Sequence, residues 1–184
     1  MADVEVLALV GSLRGASLNR QLAELAAETA PNGIAVSVYE GVGGGLGELP
    51  FYNEDIDNPA DTPASVTTLR DAVSEADAIL VVTPEYNGSI PGVLKNALDW
   101  LSRPYGQSSL NSKPLAVIGT ALGQYGGVWA HDETRKSFGI AGADVVQVSL
   151  SLPSNALDGK HPRESADVVT NVSEVLTKLA TEVG

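Results

Sequence analysis

The chain has 184 residues, no cysteine, a net charge of −12 and a pI of about 4.4. This excludes disulfides, thiolate metal sites and cysteine nucleophiles, and it leaves no basic footprint for nucleic acid. A hydrophobic content of 43% suits one globular domain, expected over 1–184, and no apolar run is long enough to span a membrane. The start, Met1-Ala2-Asp3-Val4-Glu5, lacks a basic region before its apolar stretch. It does not read as a signal peptide, and the expected location is the cytoplasm.

Val4 to Val10 is a short apolar run and reads as the first strand. A helix is predicted over Ser17 to Ala30, with Leu18, Leu22, Leu25 and Ala26 on one face. Ser17 is its expected N-cap, and Pro31-Asn32-Gly33 stops it. Ile34 to Tyr39 alternates and predicts a second strand. Gly41 to Asp61 is a long irregular stretch that includes Leu49-Pro50-Phe51-Tyr52-Asn53-Glu54-Asp55. A loop of that length inside a compact domain is usually functional or mobile. Thr62-Pro63 opens a second helix with Val66, Leu69 and Val73 at helical spacing.

Ala78 to Thr83 predicts the third strand. Pro91 opens a helix with Leu94, Ala97, Leu98 and Leu101 as its buried stripe. Pro114 to Gly119 predicts a fourth strand, and a loop over Thr120 to Gly127 leads to a helix over Val128 to Phe138. Asp144 to Leu152 supplies a fifth strand, and a last helix is predicted over Pro162 to Glu182. Strict β-α alternation argues for a parallel sheet with helices on both faces. Five strands fit a doubly wound, flavodoxin-like α/β sheet of order 2-1-3-4-5, whose switch point lies between strands 1 and 3. The loops after Val10 and after Thr83 should therefore converge.

Those two loops are the most unusual polar segments of the chain. Gly11-Ser12-Leu13-Arg14-Gly15-Ala16-Ser17-Leu18-Asn19-Arg20 joins the first strand to the first helix. Ser12, Ser17 and Asn19 can donate to phosphate oxygens. Arg14 adds charge-assisted bonds, and the free N–H groups of the helix start favour an anion. So many donors suit a terminal phosphate better than a bridging pyrophosphate. The loop lacks the Gly-Lys-Ser/Thr ending of a Walker loop and the three-glycine dinucleotide fingerprint. An ordinary capped turn is the competing reading.

Pro84-Glu85-Tyr86-Asn87-Gly88-Ser89-Ile90-Pro91-Gly92 follows the third strand. Two prolines stiffen it, and Gly88 allows a tight turn or a close ligand. Backbone amides of Glu85 to Gly88 can bond the polar edge of a flat heterocycle. Tyr86 either packs on such a ring or is a partly buried loop aromatic. Asn87 either reads a ring amide or braces the turn. No activated nucleophile, Ser-His-Asp set or paired carboxylates stand out, so no catalytic side chain is assigned. A cofactor would carry any reaction.

Lys95 and Asp99, four apart on the third helix, read as a solvated ion pair, and Trp100 reads as packing. His131-Asp132-Glu133 has metal-ligand residue types, but adjacent helical residues point apart. A surface face is expected there, and no metal.

On these motifs the chain resembles the NADPH-dependent FMN reductase family, with its quinone and chromate reductase members. Gly11-Ser12-Leu13-Arg14 with Ser17-Leu18-Asn19 is similar to the family's phosphate motif. Pro84-Glu85-Tyr86-Asn87-Gly88-Ser89, continuing through Pro91 to Trp100, is similar to its ring-binding loop and helix. The segment Leu49 to Asp55 also resembles a family segment.

The resemblance implies that Ser12, Arg14, Ser17, Leu18 and Asn19 hold the phosphate of FMN. It implies that Pro84, Glu85, Tyr86, Asn87 and Gly88 hold the isoalloxazine, with Thr120 and Gly123 bordering it. It further implies NADPH or NADH as hydride donor, a quinone, flavin or similar small acceptor, a two-step exchange, and a homodimer or homotetramer. A flavodoxin-type one-electron carrier is the main alternative. A response-regulator domain would need acidic residues at the end of the first strand, and low-molecular-weight phosphatases need a cysteine.

Overall fold

The computed structural model describes residues 3–184; Met1 and Ala2 of the start segment lie outside the described residues. Five strands, β1 (Val4–Val10), β2 (Ile34–Val38), β3 (Ala78–Val82), β4 (Pro114–Ala121) and β5 (Asp144–Pro153), form one sheet of order β2-β1-β3-β4-β5. Every pairing is parallel. Five α-helices alternate with them: α1 (Leu18–Glu28), α2 (Ala64–Glu75), α3 (Gly92–Leu101), α4 (Val128–Ile140) and α5 (Ala166–Thr181). This is the flavodoxin-like order expected from the alternation.

Strand periodicity sorts the core into two layers. Leu7, Leu9, Ile79, Val81, Leu115 and Val117 face α2, α3 and Phe138 of α4. Val6, Ala8, Leu80, Val82, Ala116 and Ile118 face α1 and α5. The middle strand β3 is apolar at every position because both faces are covered. Each fully buried Leu or Val contributes about 1.5–3 kcal/mol.

The irregular stretch after β2 contains two 3-10 turns, Gly45–Glu48 and Glu54–Ile56. It is pinned to α3 rather than loose. Asn96 accepts from the Tyr52 N–H at 2.9 Å and donates to the Pro50 carbonyl at 2.9 Å. The Trp100 indole N–H donates to the same carbonyl at 2.8 Å, and the Tyr52 ring sits edge-on to Trp100. Trp100 is thus a packing residue, and Lys95 pairs with Asp99 in solvent, both as expected.

The last helix differs from its expected span. Pro162–Glu164 is a separate 3-10 turn, and α5 starts only at Ala166. The His161 ring accepts from the Arg163 N–H, and Glu164 accepts from the His161 N–H. Ser165 is extended and caps α5 by accepting from Val168 N–H. Two successive caps break what Pro162 would otherwise open as one helix.

The parting of β3 from β4 positions the site. Their register ends at Val82–Ile118, followed by a last bond from Thr83 N–H to Ile118 O. The Thr120 N–H then goes to Asn19 Oδ1 of α1 at 2.9 Å, and the Thr83 carbonyl goes to His131 Nε2 of α4 at 2.9 Å. Gly119 lies at their meeting point. A Cβ there would fall 2.0 Å from Thr83 O, 2.7 Å from His131 Nε2 and 2.9 Å from Asn19 Oδ1. Gly119→Ala therefore forces backbone apart, and we expect it to cost about 3 kcal/mol or more. A urea unfolding midpoint lowered accordingly, at unchanged slope, is the expected measurement.

Candidate functional site

Beyond the parted strands lies a crevice of about 350 Å³. Ser12, Arg14, Ser17, Leu18 and Asn19 line one side, and Pro84, Glu85 and Tyr86 line another. Thr120, Ala121, Leu122 and Ser154 complete it. The two loops expected to converge do so across the β1–β3 switch point. A larger groove of about 480 Å³ between α3 and α4 lies on the flank of the sheet. It contains none of the predicted site residues and includes Asn111 and Gly142, which precede the amino ends of β4 and β5, the opposite end of the sheet from the crevice.

The first wall is an anion cradle in its chemistry. Ser17 caps α1, its hydroxyl oxygen accepting from Arg20 N–H at 3.3 Å, which leaves the hydroxyl hydrogen free. The Leu18 and Asn19 N–H groups, in the first helical turn, have no intrahelical acceptor. Arg14 donates to the Ala16 carbonyl at 3.0 Å and makes no ion pair among the described residues. Arg20 differs: it pairs with Glu24 and Glu40. In a chain of net charge −12, Arg14 is the unneutralised cation of this loop.

Asn19 serves another purpose than its sequence context implies. It is buried, and its amide exchanges two hydrogen bonds with the Thr120 backbone, each 2.9 Å. Its side chain welds α1 to β4, and its backbone N–H is what faces the cradle.

The second wall is a rigid hairpin. Tyr86 and Ser89 exchange backbone bonds of 3.1 Å each, with Asn87 at φ 54 and Gly88 at φ 71 between them. Two left-handed residues define a type I′ turn, for which Asn-Gly is the favoured pair. Asn87 thus braces the turn by its backbone, and its side chain makes no hydrogen bond among the described residues. Asn87 and Gly88 form the tip, and Gly123 (φ 95) sits in the loop after β4. None of the three lines the crevice, in contrast to Thr120 at the end of β4.

The hairpin is fastened to α4. Gly127 offers no capping side chain, and the Glu85 carboxylate accepts from the Ala130 N–H at 3.2 Å in its place. The Ser89 hydroxyl donates to Glu133 at 2.5 Å. His131 is fully buried, which corrects the expected surface face. Helix α4 turns that residue onto the ends of β3 and β5, where Nε2 meets the Thr83 carbonyl at 2.9 Å and Nδ1 meets Ser151 Oγ at 2.7 Å. A carbonyl only accepts, so Nε2 carries the proton and Nδ1 accepts from the serine. No cluster of His, Asp and Glu able to hold a metal occurs among the described residues.

One orphan remains. The Thr120 hydroxyl is buried without a hydrogen-bond partner, on the residue between the two walls. Buried polar atoms without partners are rare and call for an explanation. A polar ligand in the crevice supplies one. Ala121, Leu122 and Ser154 were not anticipated. Ser154 follows β5, and the strand order itself brings that strand's end beside the crevice.

A sequence model of the NADPH-dependent FMN reductase family matches residues 4–156. The chain belongs to this family. It is 46% identical over 132 residues to a quinone reductase of Pseudomonas putida, covering 72% of this chain and 68% of that protein. It is 35% identical over 161 residues to an NAD(P)H-dependent FMN reductase of Pseudomonas aeruginosa, covering 86% and 83%. Among solved structures, the flavoenzyme NAD(P)H:(acceptor) oxidoreductase of Paracoccus denitrificans superposes with a TM-score of 0.79 at 33% identity, over 97% of this chain and 98% of that one. A pneumococcal flavodoxin superposes with a TM-score of 0.59 at 17% identity, over 97% and 99%, a likeness of fold alone.

The His131 environment yields a pH prediction. Burial pushes its pKa below the ordinary value, and Arg135 adds to this against the Thr83 carbonyl, Glu85 and Asp132. Between that lowered value and about 6.5 the unfolded chain binds the extra proton, so stability rises with pH across the window. Stability held above pH ~6.5 is lost as the pH falls below it. Urea midpoints at pH 5.5 and 7.5 should differ more for the wild type than for His131→Gln.

Proposed function

We propose that the crevice seats FMN, with its phosphate at the start of α1 and its ring against Pro84 to Gly88, in an NAD(P)H-dependent reductase of quinones or similar small acceptors. The observation that carries this reading is the meeting of both family motifs on one crevice. Three features there ask for a phosphorylated polar ligand: an unpaired arginine, free helix amides and an orphan hydroxyl.

The residues present fit that cofactor. Ser12 and Ser17 hydroxyls, the Arg14 guanidinium and the Leu18 and Asn19 N–H groups would hold the phosphate. The helix terminus adds its partial positive charge. Thr120 would donate to the ligand between the two walls. Pro84 and the hairpin fix the loop before the ring arrives, so little ordering cost falls on binding. The Tyr86 N–H is spent on Ser89, which leaves the Glu85 amide at the crevice and the Asn87 and Gly88 amides at the hairpin tip for a ring edge that extends beyond the crevice lining. Gly123 would border the ring from the loop after β4.

FMN, when bound, supplies the chemistry by accepting a hydride equivalent from reduced nicotinamide and passing electrons to the acceptor. The chain needs no acid, base or nucleophile of its own, and the one carboxylate lining the crevice, Glu85, is engaged by the Ala130 N–H. Its tasks are to hold the phosphate, orient the ring and leave one side open. Donor and acceptor then use that side in turn, which gives ping-pong kinetics. Tyr86 and Leu122, both exposed at the mouth, are the apolar surfaces a flat donor or acceptor would meet.

We read residues 1–184 as one FMN-binding domain of the cytoplasm. Among the described residues no helix is long and apolar enough to cross a membrane. A homodimer or homotetramer is supported by the apolar side chains Leu122, Tyr125 and Trp129, which stand exposed beside the site. The one-electron carrier is the weaker reading. The relatives with substantial sequence identity carry reductase names, and flavodoxins share only the fold.

Purified protein mixed with FMN should lose its flavin absorbance on anaerobic addition of NADH or NADPH and regain it with a quinone. Protein that binds no FMN and gives no FMN-dependent oxidation of reduced nicotinamide would refute the reading. Arg14→Ala should weaken FMN binding roughly tenfold or more while leaving riboflavin affinity unchanged, because only FMN has the phosphate. Paired fluorescence titrations check this.

A further inference from the structure

His131 takes no part in the binding just described, yet it is a tightly held polar side chain near the crevice. It is wholly buried and holds two partners from two strands. One of them is the carbonyl of Thr83, the residue from which the ring-binding hairpin springs. That carbonyl has lost its strand partner, because the opposing Thr120 N–H bonds to Asn19. Its bond to His131, together with the Thr83 hydroxyl donating to the Pro84 carbonyl at 3.0 Å, sets the orientation of the Thr83–Pro84 peptide. The other bond, from Ser151 on β5, fixes the plane of the imidazole. Gly119 beside them has no room for a side chain, which is what lets His131 and Thr83 come this close to β4.

We propose that His131 is a positioning residue for the ring-binding loop, acting through the Thr83 carbonyl to set where Pro84, Glu85 and Tyr86 meet the flavin. It rests on the reading of the crevice as the FMN site. His131 makes no hydrogen bond to a residue of the phosphate cradle, its two partners being Thr83 and Ser151. Its influence should therefore fall on the ring end of the ligand alone. Glu85 from the hairpin, Asp132 and Arg135 from α4, and Asn19 from α1 are the other polar and charged groups around it.

That division gives a readout that a general loss of stability would not produce. Riboflavin and FMN share the ring and differ by the phosphate. His131→Leu removes the donor to Thr83, and it should weaken both ligands by the same factor, roughly tenfold. His131→Gln keeps an amide N–H that can reach the carbonyl, and it should bind both within about threefold of the wild type. Steady-state kinetics with saturating FMN should show kcat lowered in His131→Leu and restored in His131→Gln. Ser151→Ala frees the imidazole plane with little volume change and should weaken both flavins equally, by about threefold. It serves as the second variant should His131→Leu not fold.

Fluorescence titrations of folded protein with both flavins decide the matter. Equal losses for the two ligands, with rescue by glutamine, support the proposal. Wild-type affinities in His131→Leu and Ser151→Ala overturn it, as does a loss for FMN that riboflavin does not share. A wild type that binds neither flavin overturns the FMN reading and this proposal together, and so differs from a failure of the proposal alone.

Discussion

The whole site depends on one constraint: two parallel strands must separate without leaving their polar ends unpaired. After a last bond from Thr83 N–H to Ile118 O, β3 and β4 stop bonding to each other. A buried backbone group left without a partner costs about 1–3 kcal/mol. The chain meets that demand with two side chains from opposite faces of the sheet. Asn19 takes the Thr120 N–H, and His131 takes the Thr83 carbonyl. Because these side chains belong to α1 and α4, the same bonds that seal the split also dock the helix start that forms one wall and the helix that anchors the other.

Rigidity and electrostatics follow from that arrangement. The hairpin over Tyr86 to Ser89 is closed by its own backbone and fastened to α4 through Glu85 and Ser89. A binding loop held this way is organised in advance and loses little entropy to its ligand. Glu85 would otherwise bring a negative charge to the crevice. Its carboxylate instead caps a helix start, where negative charge is favourable. On the other wall Arg14 stays unpaired, although acidic residues outnumber basic ones 23 to 11. The local field is thus set by a few groups against the sign of the whole.

Much of this was legible in the sequence. The apolar runs and their spacing predict all ten main elements, because a doubly covered parallel sheet leaves little freedom in where apolar residues go. The strand order follows, and with it the meeting of the loops after Val10 and Thr83. Ser17 as cap and Asn-Gly at a turn are local signals and hold. What could not be read are partnerships between residues far apart in the chain. Asn19 has the residue type of a phosphate donor, but it bonds to a backbone 101 positions away. His131 sits among charged neighbours that mark a surface, yet one helical position turns it inward onto Thr83. Ser154 enters only because β5 lies beside β4. The break at Ser165 is a case of two caps outcompeting a helix that propensity alone would continue.

Amide hydrogen exchange on the purified protein, with and without FMN, tests the central claim most directly. If one ligand bridges the two walls, FMN should slow exchange at Leu18 and Asn19 and at Glu85, Asn87 and Gly88 together, at the same ligand concentration. Protection of one segment with the other unchanged would mean that the walls do not share a ligand, and the account would be wrong.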